Sequence, residues 1–422
     1  MSDIRLWLEQ TKGRGMRLGL ERIHLAHTSL IQFYESTIIH VAGSNGKGTV
    51  CALTATHFNR LNQTTVMFTS PHLIRIEERI RIDGRPISEQ QFDAYLSVIR
   101  QTEIDLELEL TFFEVTFLAS CLCAREINPD VFIVETGLGG RFDATRILPA
   151  DLCLLTSITL EHRDILGDTL AAIAAEKAAI ARPNKPMFVR DIQDTEARSA
   201  VEYEAHHAGQ EHLGEISSPA NVEWVTIDSA SSMKEEALAL VKASLNHLGL
   251  NIDFLEESFH ALNWPGRMQH IEPTSWGGAL FVDAAHNPSG LKRVIPSIIE
   301  RVSSQEKWTL VFGCTPQDDL HSFVQPLIDL CKSNPPTTIL LTVPQTGRYP
   351  GVPISELSDL NWSYKKAILH TSTPQEVKYI LEDIKPIYTL AIGSLYLIGE
   401  LFEALNLNGL DHLEMFTPNT QR

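Results

Sequence analysis

Two rhythms alternate along this chain. Short runs of adjacent apolar residues, such as 131–135, 152–156 and 388–393, give way to stretches where apolar side chains return every three or four positions. The first rhythm predicts buried strands and the second predicts amphipathic helices. Further strands are predicted over 37–42, 66–69, 186–189, 279–282, 308–313 and 338–343. Helices are predicted over 49–61, 92–100, 169–181, 291–301 and 374–383. Such alternation predicts an α/β protein with largely parallel sheets. Residues 79–82 followed by Asp83-Gly84 read as a hairpin inserted off the main sheet, and the polar stretch 214–221 reads as a surface connection. The pattern breaks at 264–276, where Pro265, Gly266 and Pro273, with Gly277 just beyond, punctuate it. The expected division is a domain over 1–267, a linker over 268–276 and a second domain over 277–422.

The richest local chemistry lies where the first strong strand meets its helix. Between them stand Gly43, Ser44, Asn45, Gly46, Lys47, Gly48 and Thr49. Glycines let successive backbone N–H groups turn inward on an anion, and the helix N-terminus adds partial positive charge at the same place. Lys47 supplies an ammonium for a phosphoryl oxygen. The alternative is a glycine-rich turn that holds no ligand. The strand–loop–helix context favours a nucleotide-phosphate cradle, although Gly48 intervenes between the lysine and the hydroxyl of Thr49.

Composition narrows the partners. A chain of 422 residues with 43% hydrophobic and 21% charged residues suits a soluble protein of two or three domains. No run approaches the roughly 18 apolar residues of a membrane span, and the first ten residues lack a signal peptide's features, so a cytoplasmic location is expected. The six scattered cysteines read as reduced, buried thiols. A net charge of −18 disfavours nucleic acid as a partner. Any anionic substrate must therefore be attracted by local cations, metal ions and helix ends.

Several polar residues fall just after predicted strands, the edge where open α/β sheets bind ligands. Ser70 follows one strand, Glu135 closes the next, and Glu161-His162 follow a third. A carboxylate and hydroxyls beside a phosphate cradle point to Mg²⁺. Glu135 also reads as a solvated strand end, and His162 on its chemistry alone reads as a hydrogen-bonded loop residue. Lys177, on an alanine-rich helix, reads either as a snorkelling lysine or as one held near metal or phosphate. Arg267 stands where an arginine could clamp phosphate. Asp283, His286 and Asn287 close the first strand of the second part, where Asp283 and Asn287 could also cap the helix after Pro288.

Taken together, these motifs resemble the dihydrofolate synthase/folylpolyglutamate synthase family, relatives of the muramyl-peptide ligases. The resemblance rests on LGLERI at 18–23, AGSNGKGT at 42–49, TSPHLIRIEERI at 69–80 and TFFE at 111–114. It continues through ETGLGGRFDAT at 135–145, LEHRDILGDTL at 160–170, EKAAI at 176–180, PGR at 265–267, DAAHNP at 283–288 and GSLYLIGE at 393–400. It implies a phosphate-loop ATPase-like N-terminal domain that binds ATP and folate, followed by a smaller Rossmann-like domain, as in Mur ligases. The implied activity is ATP-dependent ligation of L-glutamate to dihydropteroate, and to tetrahydrofolate and folylpolyglutamates, through an acyl phosphate. Folylpolyglutamate synthesis alone, or a related Mur-type ligation, are the alternatives it leaves.

By resemblance, the loop 43–49 with Arg267 and Asp283 would contact ATP, which would lie between the domains. Ser70, Glu135 and His162 would be metal residues for one or two Mg²⁺ ions, with room for a monovalent cation. Lys47 would act on the phosphates, and Lys177 matches a lysine that the family carbamylates. His286 and Ser394 would orient glutamate. Leu18, Thr111, Phe113, Glu114, Phe142, Asp143 and Ala144 would lie at the pterin end. The resemblance also implies a monomer. The chain departs from the family pattern in having Glu161 for an Asp before His162, Thr136 and Arg146 near the glycine cluster, and Arg17 where some members carry Asp.

Overall fold

The computed structural model describes residues 2–209, 218–228, 231–305, 307–347, 350–362 and 368–415. Half of the stretch expected to be a surface connection, 214–217, lies outside the described residues. The chain divides into two compact units. One comprises the residues up to His72, Ile76–Leu262 and the stretch from Met415, and the other comprises Leu73–Arg75 and Asn263–Glu414.

The first unit is built on one sheet. Its strands are β1 (Thr37–Ala42), β2 (Thr65–Phe68), β3 (Ile80–Ile82), β4 (Arg85–Pro86), β5 (Val131–Glu135), β6 (Leu152–Leu155), β7 (Pro186–Arg190) and β8 (Asn221–Val225). They lie in the order β4-β3-β2-β5-β1-β6-β7-β8. All pairs from β2 to β8 are parallel, while β3 and β4 pair antiparallel at the edge. The 79–84 hairpin therefore extends the sheet and does not stand off it. The reason is burial: Ile80 and Ile82 pair beside Phe68 and Val66, and Ile80 loses all its exposure there.

Every residue of β2, β5 and β6 is buried, because helices cover both faces of a parallel sheet. One covering helix, Phe112–Ile127, opens with a capping box in which Thr111 and Glu114 satisfy each other's backbone N–H groups. It ends at Asn128, whose φ of 48° takes the left-handed conformation that asparagine tolerates. All of Val115–Ala124 is buried, so this helix has no polar face for a periodicity to reveal.

The position of β1 decides where a ligand can sit. It lies between β5 and β6, and the chain proceeds from it outward to both sides. That reversal leaves a crevice beyond the carboxyl end of β1, the usual ligand position in open α/β sheets. The phosphate-type loop is the next segment of chain.

The second unit holds a sheet of β9 (Gln269–Ile271), β10 (Ala279–Asp283), β11 (Trp308–Phe312), β12 (Thr338–Leu341), β13 (Ile368–His370) and β14 (Tyr388–Ile392). Its order is β13-β12-β11-β14-β10-β9, with only β9 antiparallel. Leu73 belongs to this unit. A Cβ on Gly399 would stand 2.3 Å from the Leu73 carbonyl oxygen, and one on Gly266 would stand 3.2 Å from its side chain. No helix among the described residues is long and apolar enough to cross a membrane.

Candidate active site

The loop after β1 is shaped by a close approach. Gly43 has φ +143°, and a Cβ there would lie 1.8 Å from Thr156 Oγ1. Gly46, at φ +88°, turns the chain into the helix Lys47–Arg60. The end of β6 braces the loop from the side. Ser44 N donates to the Ser157 carbonyl at 2.7 Å, Thr156 Oγ1 donates to the Asn45 carbonyl at 2.8 Å, and Asn45 N donates to Ser157 Oγ at 3.2 Å. Thr156 and Ser157 are thus structural partners of the loop that the sequence pattern did not single out. Their only signal is their place at the end of a predicted strand.

Two ammonium groups meet at one carbonyl. Lys47 Nζ donates to the Gly43 oxygen at 2.9 Å, and Lys177 Nζ donates to the same oxygen at 3.1 Å. Lys47 Nζ also lies 3.9 Å from Glu135 Oε1, while Lys177 Nζ lies 2.7 Å from Glu161 Oε1. Glu135 Oε2 accepts from Ser70 N at 3.1 Å. Lys47, Lys177, Glu135 and Ser70 therefore converge on the carboxyl edge of β1 and β5.

Lys177 is 2% exposed. Burial pushes its ammonium down from 10.5 to about 8; Glu161 opposes that shift and Lys47 adds to it. At Glu161, burial works to raise the carboxyl, but the ammoniums of Lys177 and Lys47 outweigh it and hold the group below its ordinary value.

The helix bearing Lys177 is held close by glycine. A Cβ on Gly140 would lie 2.7 Å from the Glu176 carbonyl oxygen and 2.8 Å from that of Lys177. Arg141 fastens the same contact, donating from N to the Glu176 carbonyl and from Nε to its carboxylate, both at 2.9 Å. Asp143 orders the turn: its carboxylate accepts from Gly137 N at 2.8 Å, Leu138 N at 2.9 Å and Thr145 N at 3.0 Å. Ala144 is buried beside it, whereas Phe142 is 46% exposed.

The expected pterin segment sits beside this turn. A Cβ on Gly137 would lie 2.6 Å from the Phe113 ring, which also meets the Phe68 ring at 5.7 Å. Thr111 and Glu114 are engaged in the helix cap, and Leu18 projects with 63% exposure. His162 is exposed in a left-handed conformation, φ 45°, before the short helix Arg163–Leu166. No cluster of three His, Cys, Asp or Glu fit to hold a metal ion occurs among the described residues. One buried carboxylate beside a phosphate loop is nevertheless a donor set that suits Mg²⁺, which keeps several waters and takes phosphate oxygens.

In the second unit, Asp283 closes β10. Its carboxylate accepts from Met268 N at 2.9 Å and Ala285 N at 2.8 Å. Burial raises its carboxyl above the ordinary value, and the nearby Arg267 charge only partly offsets this. Asn287, not Asp283, caps the helix Pro288–Val302, accepting from Gly290 N at 2.7 Å. The exposed His286 donates from Nδ1 to the Ala284 carbonyl at 2.9 Å, so Nε2 carries the lone pair of the neutral ring. Ser394 is buried and caps the helix Leu395–Ala404, accepting from Tyr396 N at 3.2 Å.

No family model matches the chain. It is 31% identical over 294 residues to the dihydrofolate synthase/folylpolyglutamate synthase of Escherichia coli (strain K12), covering 67% of this chain and 68% of that protein. It is 26% identical over 434 residues to the dihydrofolate synthetase of Saccharomyces cerevisiae, covering 93% of this chain and 98% of that one. Among solved structures, E. coli FolC in complex with DHPP and ADP superposes with a TM-score of 0.79 at 23% identity, covering 96% of this chain and 98% of that chain. The folylpolyglutamate synthase of Thermotoga maritima superposes with a TM-score of 0.78 at 21% identity, covering 97% and 98%. These structural likenesses bear out the expected two-domain α/β fold. The sequence match goes further, and on it this chain belongs to the dihydrofolate synthase/folylpolyglutamate synthase family.

Proposed function

We propose that this protein is an ATP-dependent ligase that joins L-glutamate to dihydropteroate and to tetrahydrofolate or its polyglutamates. The observation that carries the reading is the Lys47 ammonium, held at the Gly43 carbonyl of the loop after β1 and 3.9 Å from the Glu135 carboxylate. A carboxylate and a triphosphate repel each other. A ligase must therefore place positive charge at the transferring phosphoryl group and hold the reactants in line. In a protein of net charge −18, that charge has to be local.

The loop amides of residues 43–49 hold the phosphates, with Lys47 following the phosphoryl oxygens as negative charge moves between them. The substrate carboxylate attacks the γ-phosphorus, ADP leaves, and the glutamate amine displaces phosphate from the acyl phosphate. Ser70, Glu135 and His162 are the residues that would hold Mg²⁺, which when bound neutralises phosphate charge. Lys177, its amine partly deprotonated near neutral pH, is the site of carbamylation. The amine adds to CO₂, a proton is released, and the product is a carboxylate.

Arg267 and Asp283 are assigned to the nucleotide, and His286 and Ser394 to orienting glutamate. The pterin end is assigned to Leu18, Thr111, Phe113, Glu114, Phe142, Asp143 and Ala144. The first compact unit is the ATP- and folate-binding domain, and the second is the Rossmann-like one. Small molecules, not nucleic acid, are the partners, a reading the acidic charge supports. The six cysteines, all buried and none in a disulfide, support a reducing cytoplasm. The working form is read as a monomer, which light scattering tests directly.

Phosphate release is the decisive assay, with ATP, Mg²⁺ and glutamate present and with dihydropteroate or tetrahydrofolate added. Release that depends on both glutamate and a pterin acid is expected. Dependence on tetrahydrofolate alone reduces the reading to folylpolyglutamate synthesis, and dependence on neither rejects it.

A further inference from the structure

The stretch that carries Leu18 joins the helices Asp3–Lys12 and Glu21–Leu30. Three arginines pin this region to the stretch from the end of the helix Glu89–Asp105 to the first turn of the helix Phe112–Ile127: Arg14 pairs with Glu103, Arg17 with Glu109 and Arg22 with Glu114. The three pairs are not equivalent. Glu103 is spent on the fold, since it also accepts from Trp7 Nε1 at 3.0 Å and Leu110 N at 2.7 Å. The Arg17 pair is largely in water.

The Arg22 pair joins two segments that both belong to the proposed pterin site. Glu114 Oε2 accepts from Thr111 N at 2.7 Å, while Oε1 accepts from Arg22 Nη2 at 3.1 Å. The same Nη2 donates to the Arg17 carbonyl at 3.0 Å, one residue before Leu18. One guanidinium thus fixes the backbone beside Leu18 relative to the start of the helix that carries Phe113. Arg22 Nε is buried and has no acceptor among the described residues. A clamp that served the fold alone would be expected to have its buried donors satisfied.

We propose that Arg22 is a positioning residue for the pterin end of the substrate, holding the Leu18 and Thr111–Phe113 segments at the separation that admits the heterocycle. This rests on the pterin assignment above and deepens it. Specificity for the ring then comes from one guanidinium nitrogen that bridges a carboxylate and a backbone carbonyl, at a reach and in a plane that the shorter, freely rotating lysine ammonium does not keep.

The test compares wild type, Arg22→Lys and Glu114→Gln as intact proteins. Glutamine still serves the capping box, so Glu114→Gln removes the ion pair without removing the helix cap and covers the case in which Arg22→Lys fails to fold. Equilibrium binding of dihydropteroate, followed by fluorescence, needs no turnover. It should weaken about tenfold in both variants, while KM for dihydropteroate rises by a similar factor and kcat and the KM values for ATP and glutamate hold. Unchanged dihydropteroate binding in Glu114→Gln overturns the proposal. So does a fall in kcat with KM unchanged, which is the mark of a structural role. Wild type that binds dihydropteroate without turning it over counts against the ligase reading, not against Arg22.

Discussion

At the scale of single residues, two lysines share one carbonyl and divide the work. Lys47 is the mobile charge of the loop, so Lys47→Ala should lower substrate-dependent phosphate release by about a hundredfold or more while the protein stays folded. Circular dichroism with the phosphate assay checks both parts. Lys177 is instead defined by burial. Its folded value of about 8 lies below its ordinary 10.5, a difference of about 3 kcal/mol in favour of the neutral form. The unfolded chain then binds more protons between those two pH values, so stability contributed at this site rises with pH across that window. Below pH 8 the cost of burying the ammonium is fully present. In bicarbonate-free buffer, wild type should therefore gain stability relative to Lys177→Met between pH 7 and pH 10, as read by urea unfolding. A difference that stays flat with pH would show that the amine does not titrate in that range.

At the scale of elements, the glycine turn after β5 governs how near the Lys177 helix comes. Gly140→Ala would drive a methyl into two helix carbonyls and should destabilise the protein by about 1–3 kcal/mol, with activity falling further than stability alone explains. Denaturant titration beside steady-state kinetics separates the two effects. The same neighbourhood shows what a sequence pattern reveals and what it hides. The strands β1 and β5 were legible residue for residue because each is a short apolar run bounded by polar or turn residues. The helix Phe112–Ile127 was not, since its stretch Val115–Ala124 is buried on every side and carries no charge, so no exposed face marks a period. β8 escaped for the opposite reason, being half-exposed at a sheet edge with little apolar alternation. In the site, residues with special backbone demands or a strand-end position (Gly43, Lys47, Glu135) could be named from position. Thr156, Ser157 and Arg22 act through contacts with distant parts of the chain, which no local window contains.

At the scale of the whole molecule, burial sets the chemistry of the thiols. All six cysteines are buried and none is in a disulfide, and burial pushes Cys121, Cys123, Cys314 and Cys331 up to about 12. A thiol-specific chromogenic reagent should therefore label almost none of them in the native protein at pH 8 and all six once urea is added. Rapid labelling of the native protein would mean that these elements open readily.

Leu73 has a further consequence for how the gene could be divided. Its carbonyl and side chain fill space left by Gly399 and Gly266, so the later unit borrows a tile from a point in the chain about 190 residues earlier. A fragment expressed from Asn263 onward would lack that tile and be born with a gap in its wall. Supplying the upstream piece in trans would have to thread three residues into a neighbour's interior. Circular permutation that keeps those residues tethered is the more promising way to dissect this enzyme.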